Sequence, residues 1–229
     1  MRLVTLAGPP SSGKTSVILH MAESLRQGGA SAGVIKLDCL ATDDADLYKK
    51  AGIPAVKGLS GNLCPDHFFI CNLEDCFEWG KSRGLDYLVI ESAGLCNRCS
   101  PHLKGIPAVC VVDNLMGANT PKKIGPMLKM ADIVVITKGD VVSQAEREVF
   151  AFRVRQTNPQ CGILNVNGLT GQGCDQLAAL LGQSGETPTL EGASLRFTMP
   201  SALCSYCLGE TRVGMDFQMG NTRRMNFDG

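Results

Sequence analysis

The fold is decided by the stretch Gly8-Pro9-Pro10-Ser11-Ser12-Gly13-Lys14-Thr15, near the start of a chain of 229 residues. It matches the phosphate-binding pattern G-x-x-x-x-G-K-S/T, in which a glycine-rich loop turns backbone amides towards phosphate oxygens. The apolar run Leu3–Ala7 before it predicts a strand, and the apolar positions from Val17 to Leu25 after it predict a helix. Strand, loop and helix in this order predict a P-loop nucleotide-binding site.

The loop also supplies candidate residues for binding and catalysis. Lys14 is expected to reach the β and γ phosphates and to stabilise charge during attack by water, while the Thr15 hydroxyl binds magnesium. The predicted nucleotide-binding residues of the loop are Gly8, Ser11, Ser12, Gly13, Lys14, Thr15 and Ser16.

Short apolar runs recur along the chain and predict buried strands. They are Leu3–Ala7, Ala32–Leu37, Tyr87–Ile90, Ala108–Val112, Ile133–Thr137 and Gly162–Val166. Segments with helical spacing alternate with them, around Val17–Leu25, Asp43–Lys50, Asp66–Lys81, Pro121–Met130, Ser143–Gln156 and Cys174–Leu181. This alternation predicts an α/β protein with a mainly parallel sheet and helices on both faces, which is the three-layer α/β/α arrangement of P-loop NTPases.

The sequence also predicts a division into units. Residues 1–182 are expected to form the P-loop NTPase domain, and the stretch 183–193, rich in Gly, Ser, Thr and Pro, is expected to be a linker. Residues 194–229 are predicted to form a small cysteine-containing β extension. Its predicted strands are Leu195–Met199, Thr211–Met219 and Thr222–Phe227, with a hairpin turn at Gly220-Asn221.

Composition and charge argue against nucleic acid and membranes as partners of this protein. The 22 basic and 22 acidic residues give a formal net charge of zero, so there is no broad electrostatic footprint for nucleic acid. No stretch reaches the roughly 18 apolar residues of a membrane span, and the chain starts without a secretory signal, so no membrane insertion and a cytoplasmic location are expected. In a reducing cytoplasm, the eleven cysteines are expected to be thiols, metal ligands or redox groups.

Two further segments resemble those of one family. The stretch Ile35-Lys36-Leu37-Asp38-Cys39-Leu40-Ala41-Thr42-Asp43-Asp44-Ala45 resembles a D-x-x-T-x-x-D-A segment, with Thr42 four residues after Asp38. The stretch ending Ile90-Glu91-Ser92-Ala93-Gly94 is similar to an E-S-G-G or E-N-V-G segment. Residues 2 to 182 thereby resemble the GTPases that insert nickel into hydrogenase and urease, the SIMIBI-class CobW/HypB/UreG metallochaperones. The resemblance implies that Asp38 and Glu91 serve magnesium and water positioning, and that Gly94 senses the γ phosphate.

The resemblance extends to the recognition of the base. The segment Thr137-Lys138-Gly139-Asp140 is similar to the N-K-x-D pattern, which implies that Asp140 accepts the N–H donors of guanine and that Lys138 covers the ring. Thr170-Gly171-Gln172-Gly173 falls where the family has its last base-contacting loop. Because Thr137 replaces an Asn whose amide supports the loop in that family, both GTP and ATP stay open as substrates.

Cysteine pairs predict a second site. Cys96-Asn97-Arg98-Cys99 follows the predicted γ-phosphate sensor, and Cys204-Ser205-Tyr206-Cys207 begins the C-terminal extension. Four thiolates at this spacing suit either a zinc ion or an iron–sulfur cluster, so we predict a metal site coupled to the nucleotide state; unconnected thiols are the alternative. Cys64 and His67 are further candidate ligands, because the resembled family carries a metal-binding Cys and His near this point.

The remaining candidates carry weaker signals. His102 either completes the metal site or is a satisfied surface histidine. The other cysteines are expected to be packing residues: Cys39, Cys71, Cys76, Cys110, Cys161 and Cys174.

The leading interpretation is a GTPase whose nucleotide state controls delivery of a metal, such as nickel, or of a metal cofactor to a client metalloenzyme or its assembly proteins. The family resemblance also implies a homodimer. One alternative is an ATP-driven electron donor, because cysteines just after the γ-phosphate sensor resemble the nitrogenase iron protein. A small-molecule kinase and a nucleotide-sensing scaffold for a partner are the others.

Overall fold

The computed structural model describes residues 1–197 and 208–227, and within them seven parallel strands form one sheet. The strand order is β3-β2-β4-β1-β5-β6-β7, so β1 lies in the middle. The strands are β1 (Arg2–Ala7), β2 (Ala32–Asp38), β3 (Ala55–Leu59), β4 (Tyr87–Glu91), β5 (Ala108–Asp113), β6 (Ile133–Thr137) and β7 (Gly162–Asn165).

Helices cover both faces of this sheet. They are α1 (Lys14–Gln27), α2 (Asp44–Lys50), α3 (Pro65–Ser82), α4 (Thr120–Ile124), α5 (Pro126–Lys129), α6 (Gln144–Thr157) and α7 (Cys174–Gly182). Side chains alternate along each strand, so Leu3 of β1 packs in the cluster that contains α3, and Val4 packs in the cluster that contains α1 and α7. The predicted three-layer α/β/α fold is therefore confirmed. No helix in these ranges is long and apolar enough to cross a membrane.

Two local predictions need correction. The edge strand β3 was not predicted, because it has only five residues and is interrupted by the exposed Lys57 and by Gly58. The helix predicted over Pro121–Met130 is broken at Gly125, which has φ of 64°. A Cβ at Gly125 would lie 2.8 Å from the Asn97 carbonyl oxygen, so the close approach of the two backbones requires glycine there.

The predicted hairpin around Gly220-Asn221 is wrong. Pairing in the C-terminal segment instead joins 193–195 to 211–213: Leu195 N donates to Thr211 O at 2.8 Å, and Val213 N donates to Ala193 O at 3.1 Å. A short 3-10 helix occupies Met215–Phe217 in place of a strand. Part of the predicted strand Leu195–Met199, together with Cys204 and Cys207, lies outside the described residues.

The segment predicted as the strand Thr222–Phe227 is held by a side chain of α3 instead of a neighbouring strand. The Asn72 amide donates to Arg223 O at 2.9 Å and accepts from Met225 N at 2.7 Å. Met225 is buried in the same cluster as α3, so tertiary contacts satisfy the backbone that a hairpin would have paired. The division of the chain into 1–182, 183–193 and 194–229 stays a prediction.

Arg196 fastens the C-terminal segment to the sheet domain. Its guanidinium forms a bidentate ion pair with Asp132, with nitrogen–oxygen distances of 2.6 and 2.7 Å. The same group donates to the carbonyl oxygens of Leu103, Met130 and Ile106. Such paired, planar contacts are the strongest that arginine makes, so this residue fixes where the segment enters the fold.

His102 is a core residue and not the satisfied surface histidine that was expected. Its Nε2 donates to the Met127 carbonyl oxygen at 3.1 Å, so its Nδ1 accepts from the Thr5 hydroxyl at 2.9 Å. Both ring nitrogens are engaged, which leaves neither for a metal. Burial, and then the positive charge of Arg196, lowers the pKa of His102 to about 3.

This burial makes acid destabilise the protein through His102. The unfolded imidazole titrates near 6.5, so between that pH and about 3 the unfolded chain holds a proton that the folded chain does not. We expect His102 to lower the free energy of unfolding by about 2 kcal/mol from about pH 7.5 to about pH 5. Urea unfolding of wild type and His102→Gln at both pH values measures it, and equal pH slopes for the two proteins would contradict it.

Candidate functional site

The predicted phosphate-binding loop joins β1 to α1 at the carboxyl edge of the sheet. Gly13 caps α1 in the left-handed region, with φ of 91°, and Ser11 is left-handed as well, with φ of 61°. The Lys14 ammonium donates to the carbonyl oxygens of Gly8 and Pro9, at 2.9 and 3.1 Å. The loop therefore encloses the Lys14 ammonium at the N-terminus of α1. Backbone N–H groups at a helix N-terminus form a site for anions.

A cavity of about 390 Å³ opens against this loop. Charged side chains from β2, α2 and β4 complete its wall. The structure therefore brings most of the predicted phosphate and magnesium residues to one place. The predicted residues that line the cavity are Ser11, Gly13, Lys14, Thr15, Ser16, Asp38 and Glu91.

The remaining predicted loop residues lie behind that wall. Ser12 is fully buried, and Gly94 packs directly on Gly8. Gly94 has φ of 69°, and a Cβ placed there would lie only 1.8 Å from the Gly8 carbonyl oxygen. Only glycine allows this approach, so the segment after β4 touches the phosphate loop without an intervening side chain.

A buried charge network that sequence reasoning missed lies at the same cavity. The Lys36 ammonium is 2.7 Å from a Glu91 oxygen, 3.1 Å from Asp44 and 3.6 Å from Asp38. The Tyr48 hydroxyl donates to the other Glu91 oxygen at 2.7 Å. These partners come from β2, α2 and β4, and a lysine in the middle of a strand was the one sequence signal that pointed to them.

Burial and charge act in opposite directions on the lysines of this cavity. Burial, only partly offset by Glu91, lowers the pKa of Lys14. For Lys36, burial also acts to lower the pKa, but Glu91 and Asp44 outweigh it and the net shift is upward. Burial and then Glu91 raise the pKa of Tyr48 well above its usual value. Lys36 is therefore positively charged and Tyr48 is a neutral donor near neutral pH, whereas burial makes Lys14 easier to deprotonate than an exposed lysine.

The same cavity suits magnesium. Mg²⁺ prefers oxygen ligands, and the Thr15 hydroxyl and the carboxylates of Asp38 and Glu91 all line this wall. The donor set therefore fits a magnesium–nucleotide complex.

Thr137, which stands where the N-K-x-D pattern has Asn, supports the phosphate loop. Its hydroxyl is buried and donates to the Ser12 carbonyl oxygen at 2.7 Å. Lys138 continues the contact: its ammonium donates to Ser11 O at 2.7 Å and pairs with Asp113 at 2.9 Å. A hydroxyl therefore does here what the Asn amide was expected to do.

A second cavity, of about 270 Å³, lies beside this segment. The exposed Asp140 lines it, together with Gln172 and Gly173 of the predicted base-contacting loop. Arg147 of α6 also lines it, although no motif pointed to that residue. A carboxylate at the mouth of a cavity next to a phosphate loop can accept two N–H donors from the edge of a purine.

Thiols gather beyond Gly94. One ligand atom each of Asp66, Cys96 and Cys99 lies within 4.8 Å of the others. The Asp66 carboxyl is buried, one of its oxygens has no hydrogen-bond partner in the described part of the chain, and burial raises its pKa to about 6. Burial, followed by Asp66 and Cys96, raises the pKa of the Cys99 thiol, and the nearby Cys64 acts in the same direction. We call Asp66, Cys96 and Cys99 the thiol cluster, and Cys64 lies near it.

The other candidate ligands lie elsewhere or remain predictions. His67 is not one of the three residues whose ligand atoms lie together, and its Nε2 is 3.6 Å from Cys71 Sγ. The expected Cys64 and His67 pair therefore stays a prediction. Cys204 and Cys207 fall outside the described residues and stay a prediction. Of the expected packing cysteines, Cys39 and Cys161 are partly exposed, and the buried ones are Cys71, Cys76, Cys110 and Cys174.

Comparison with known proteins gives consistent results. The family model described as "CobW/HypB/UreG, nucleotide-binding domain" matches residues 2–165. An uncharacterised protein of Methanocaldococcus jannaschii is 50% identical over 226 residues, covering 99% of this chain and 97% of that protein. The urease accessory protein UreG of Haloquadratum walsbyi is 30% identical over 199 residues, covering 79% and 94%.

A solved structure shares the fold. HypB from Helicobacter pylori, determined in complex with nickel, superposes with a TM-score of 0.63 at 21% identity. The match covers 79% of this chain and 85% of that one. At this identity the likeness concerns the fold alone.

The Thr137 contact predicts a matched pair of variants. Thr137→Val removes the donor and leaves the buried Ser12 carbonyl oxygen unsatisfied, which should lower the free energy of unfolding by about 1–3 kcal/mol and weaken nucleotide binding. Thr137→Ser keeps the hydroxyl and should stay close to wild type. Urea unfolding and titration with a fluorescent GDP analogue measure both effects, and wild-type behaviour of Thr137→Val would refute the role.

Proposed function

Since the chain belongs to the CobW/HypB/UreG family of nucleotide-binding proteins, we propose that it hydrolyses GTP and couples this to inserting a metal or metal cofactor into a client protein. One observation carries the proposal. The segment that starts at Glu91 in the phosphate cavity touches the phosphate loop at Gly94 and reaches the thiol cluster at Cys96 and Cys99. A nucleotide site and a candidate metal site therefore share one short segment.

The residues of the cavity suit hydrolysis by in-line attack of water on the γ phosphate. Lys14 neutralises charge that develops on the phosphate oxygens, and the amides at the start of α1 orient the β phosphate. Asp38 and Glu91 accept hydrogen bonds from the attacking water. As its oxygen bonds to the γ phosphorus, the bond to the β–γ bridging oxygen breaks, GDP leaves, and the proton of the water passes to an oxygen of the released phosphate. Thr15, Asp38 and Glu91 would hold Mg²⁺, which when bound withdraws charge from the β and γ phosphate oxygens.

Guanine is the base that the second cavity favours. An Asp140 carboxylate offers two acceptors to the adjacent N–H donors of guanine, whereas adenine presents an acceptor nitrogen there. Because Thr137 keeps the phosphate loop in register with the base-recognition segment, the absence of Asn does not count against guanine.

The thiol cluster suits a soft or borderline divalent cation. Two thiols and one carboxyl, with the Cys64 thiol near them, are a donor set for Zn²⁺ or Ni²⁺. A bound cation would also satisfy the buried Asp66 oxygen, which has no hydrogen-bond partner among the described residues. Nickel is favoured as the cargo, because relatives include the urease accessory protein UreG and a HypB determined with nickel. A client metalloenzyme or its assembly proteins would receive the metal. A homodimer, a cytoplasmic location and an iron–sulfur cluster that uses Cys204 and Cys207 stay predictions.

The assignment of Asp140 to guanine recognition predicts that a change at this residue shifts specificity from GTP to xanthosine triphosphate. Xanthine has a carbonyl where guanine has an amino group, so Asp140→Asn should lower the affinity for GTP by about 10- to 100-fold and raise that for xanthosine triphosphate. Competition against a fluorescent nucleotide measures GTP, ATP and xanthosine triphosphate side by side. Tighter binding of ATP than GTP by the wild type would contradict guanine selectivity. Lys14→Ala serves as the control that should weaken all three.

The metal assignment predicts stoichiometric binding of Ni²⁺ or Zn²⁺ by the wild type under reducing conditions. Cys96→Ser and Cys99→Ser should each weaken it at least about tenfold, and Asp66→Asn should weaken it as well, because each removes a donor. Competition with a chromophoric chelator measures the affinity, with and without a non-hydrolysable GTP analogue. Cys161→Ser, a partly exposed thiol elsewhere, is the matched control. Undiminished binding by Cys96→Ser and Cys99→Ser would refute the site.

A further inference from the structure

Lys36 is a buried cation to which neither the phosphate-loop motif nor the family resemblance assigns a role. It lies in β2 with its side chain 4% exposed, and it reaches three carboxylates at one wall of the phosphate cavity. Burying a lysine this completely is unfavourable unless it is paired. Its ion pairs with Glu91, Asp44 and Asp38 therefore compensate the burial of the charge, which distinguishes them from incidental surface contacts.

Both oxygens of Glu91 are fixed by different donors. The Lys36 ammonium lies 2.7 Å from Oε1, and the Tyr48 hydroxyl lies 2.7 Å from Oε2. Glu91 and Tyr48 are both fully buried, so neither side chain has room to rotate into solvent. The direction of this carboxylate is therefore set by two residues that lie on other elements.

Lys36 also ties together the segment that precedes α2. Asp38 ends β2, Asp44 begins α2, and both carboxylates face the same ammonium. The residues between them, 39–43, are thus anchored at each end to the cation that holds Glu91. Lys36 therefore holds together three carboxylates of the cavity wall, which come from β2, α2 and β4.

We propose that Lys36 and Tyr48 are positioning residues for nucleotide hydrolysis, which act by orienting the Glu91 carboxylate towards the reacting phosphate. This inference rests on the proposed hydrolytic function. A displacement of a reacting or orienting group by about 1 Å can slow an enzyme by about 100-fold, so loss of either contact should affect turnover more than binding. Phosphate binding itself depends on Lys14 and the loop amides, and the Lys14 ammonium is bonded to the Gly8 and Pro9 carbonyl oxygens. The Tyr48 hydroxyl donates to Glu91 and also lies within hydrogen-bond reach of the Thr15 side chain, so nucleotide affinity is measured beside kcat for each variant.

The test is a double-mutant cycle in the rate of phosphate release. Lys36→Met and Tyr48→Phe should each lower kcat about 10- to 100-fold, with the affinity for a fluorescent GDP analogue changed less than about threefold. In the Glu91→Gln background, Lys36→Met should cost almost nothing further, because its effect passes through Glu91. Lys36→Arg should recover part of the loss. Lys50→Met, an exposed lysine two residues after Tyr48, is the matched control.

Several outcomes would overturn the positioning role. These are wild-type kcat in both Lys36→Met and Tyr48→Phe, a full additional loss in the Glu91→Gln background, or equal losses of nucleotide affinity and kcat that Lys36→Arg does not relieve. If Lys36→Met fails to fold, as judged by its thermal unfolding, Tyr48→Phe alone decides, since it removes one oxygen and leaves the charges unchanged. A wild-type protein that binds GTP without turnover would overturn the proposed hydrolysis and this inference together, whereas normal turnover with unaffected variants overturns the inference alone.

Discussion

A phosphate-binding loop must be held in shape from outside, because amides that bonded to the loop's own carbonyl oxygens would no longer face the ligand. Here one loop amide, that of Ser12, donates to the Pro9 carbonyl oxygen at 3.3 Å, and side chains hold the carbonyl oxygens of the loop as well. Lys14 binds those of Gly8 and Pro9, Lys138 binds that of Ser11, and Thr137 binds that of Ser12. Each of these donors stands on a regular element or directly after one, so the end of β6 and the start of α1 together determine the form of the loop.

The acidic wall of the cavity likewise depends on residues from different elements that meet at one edge of the sheet. Parallel strands end at one edge of a sheet, so residues far apart in the chain meet there, as Lys36 and Glu91 do across 55 positions. The thiol cluster combines the start of α3 with the segment after β4. Both sites thus result from the order of strands in the sheet, and Glu91 to Cys99 is the stretch of chain that connects them.

Local signals explain what the sequence predicted. The phosphate loop, the buried strands and the long helices follow from spacing and residue type over short windows, and six of the seven strands were predicted near their observed positions. Pairings that depend on distant residues were missed or wrong. Tyr48 resembles any apolar helix residue until β4 is placed beside it, and Asp66 resembles an ordinary charge in the first turn of a helix until Cys99 is placed next to it. The hairpin at Gly220-Asn221 failed because Asn72 of α3 takes the backbone bonds.

The contact between Gly94 and Gly8 has a consequence of a different kind. It joins two uncharged backbones at van der Waals distance, with no ion pair involved. Dissolved salt screens attractions between exposed charges that are more than about 10 Å apart at 0.1 M ionic strength, but it has no comparable effect on steric exclusion. Any displacement passed from the phosphate loop to the segment beyond β4 by this route should therefore be as large in concentrated salt as in dilute buffer.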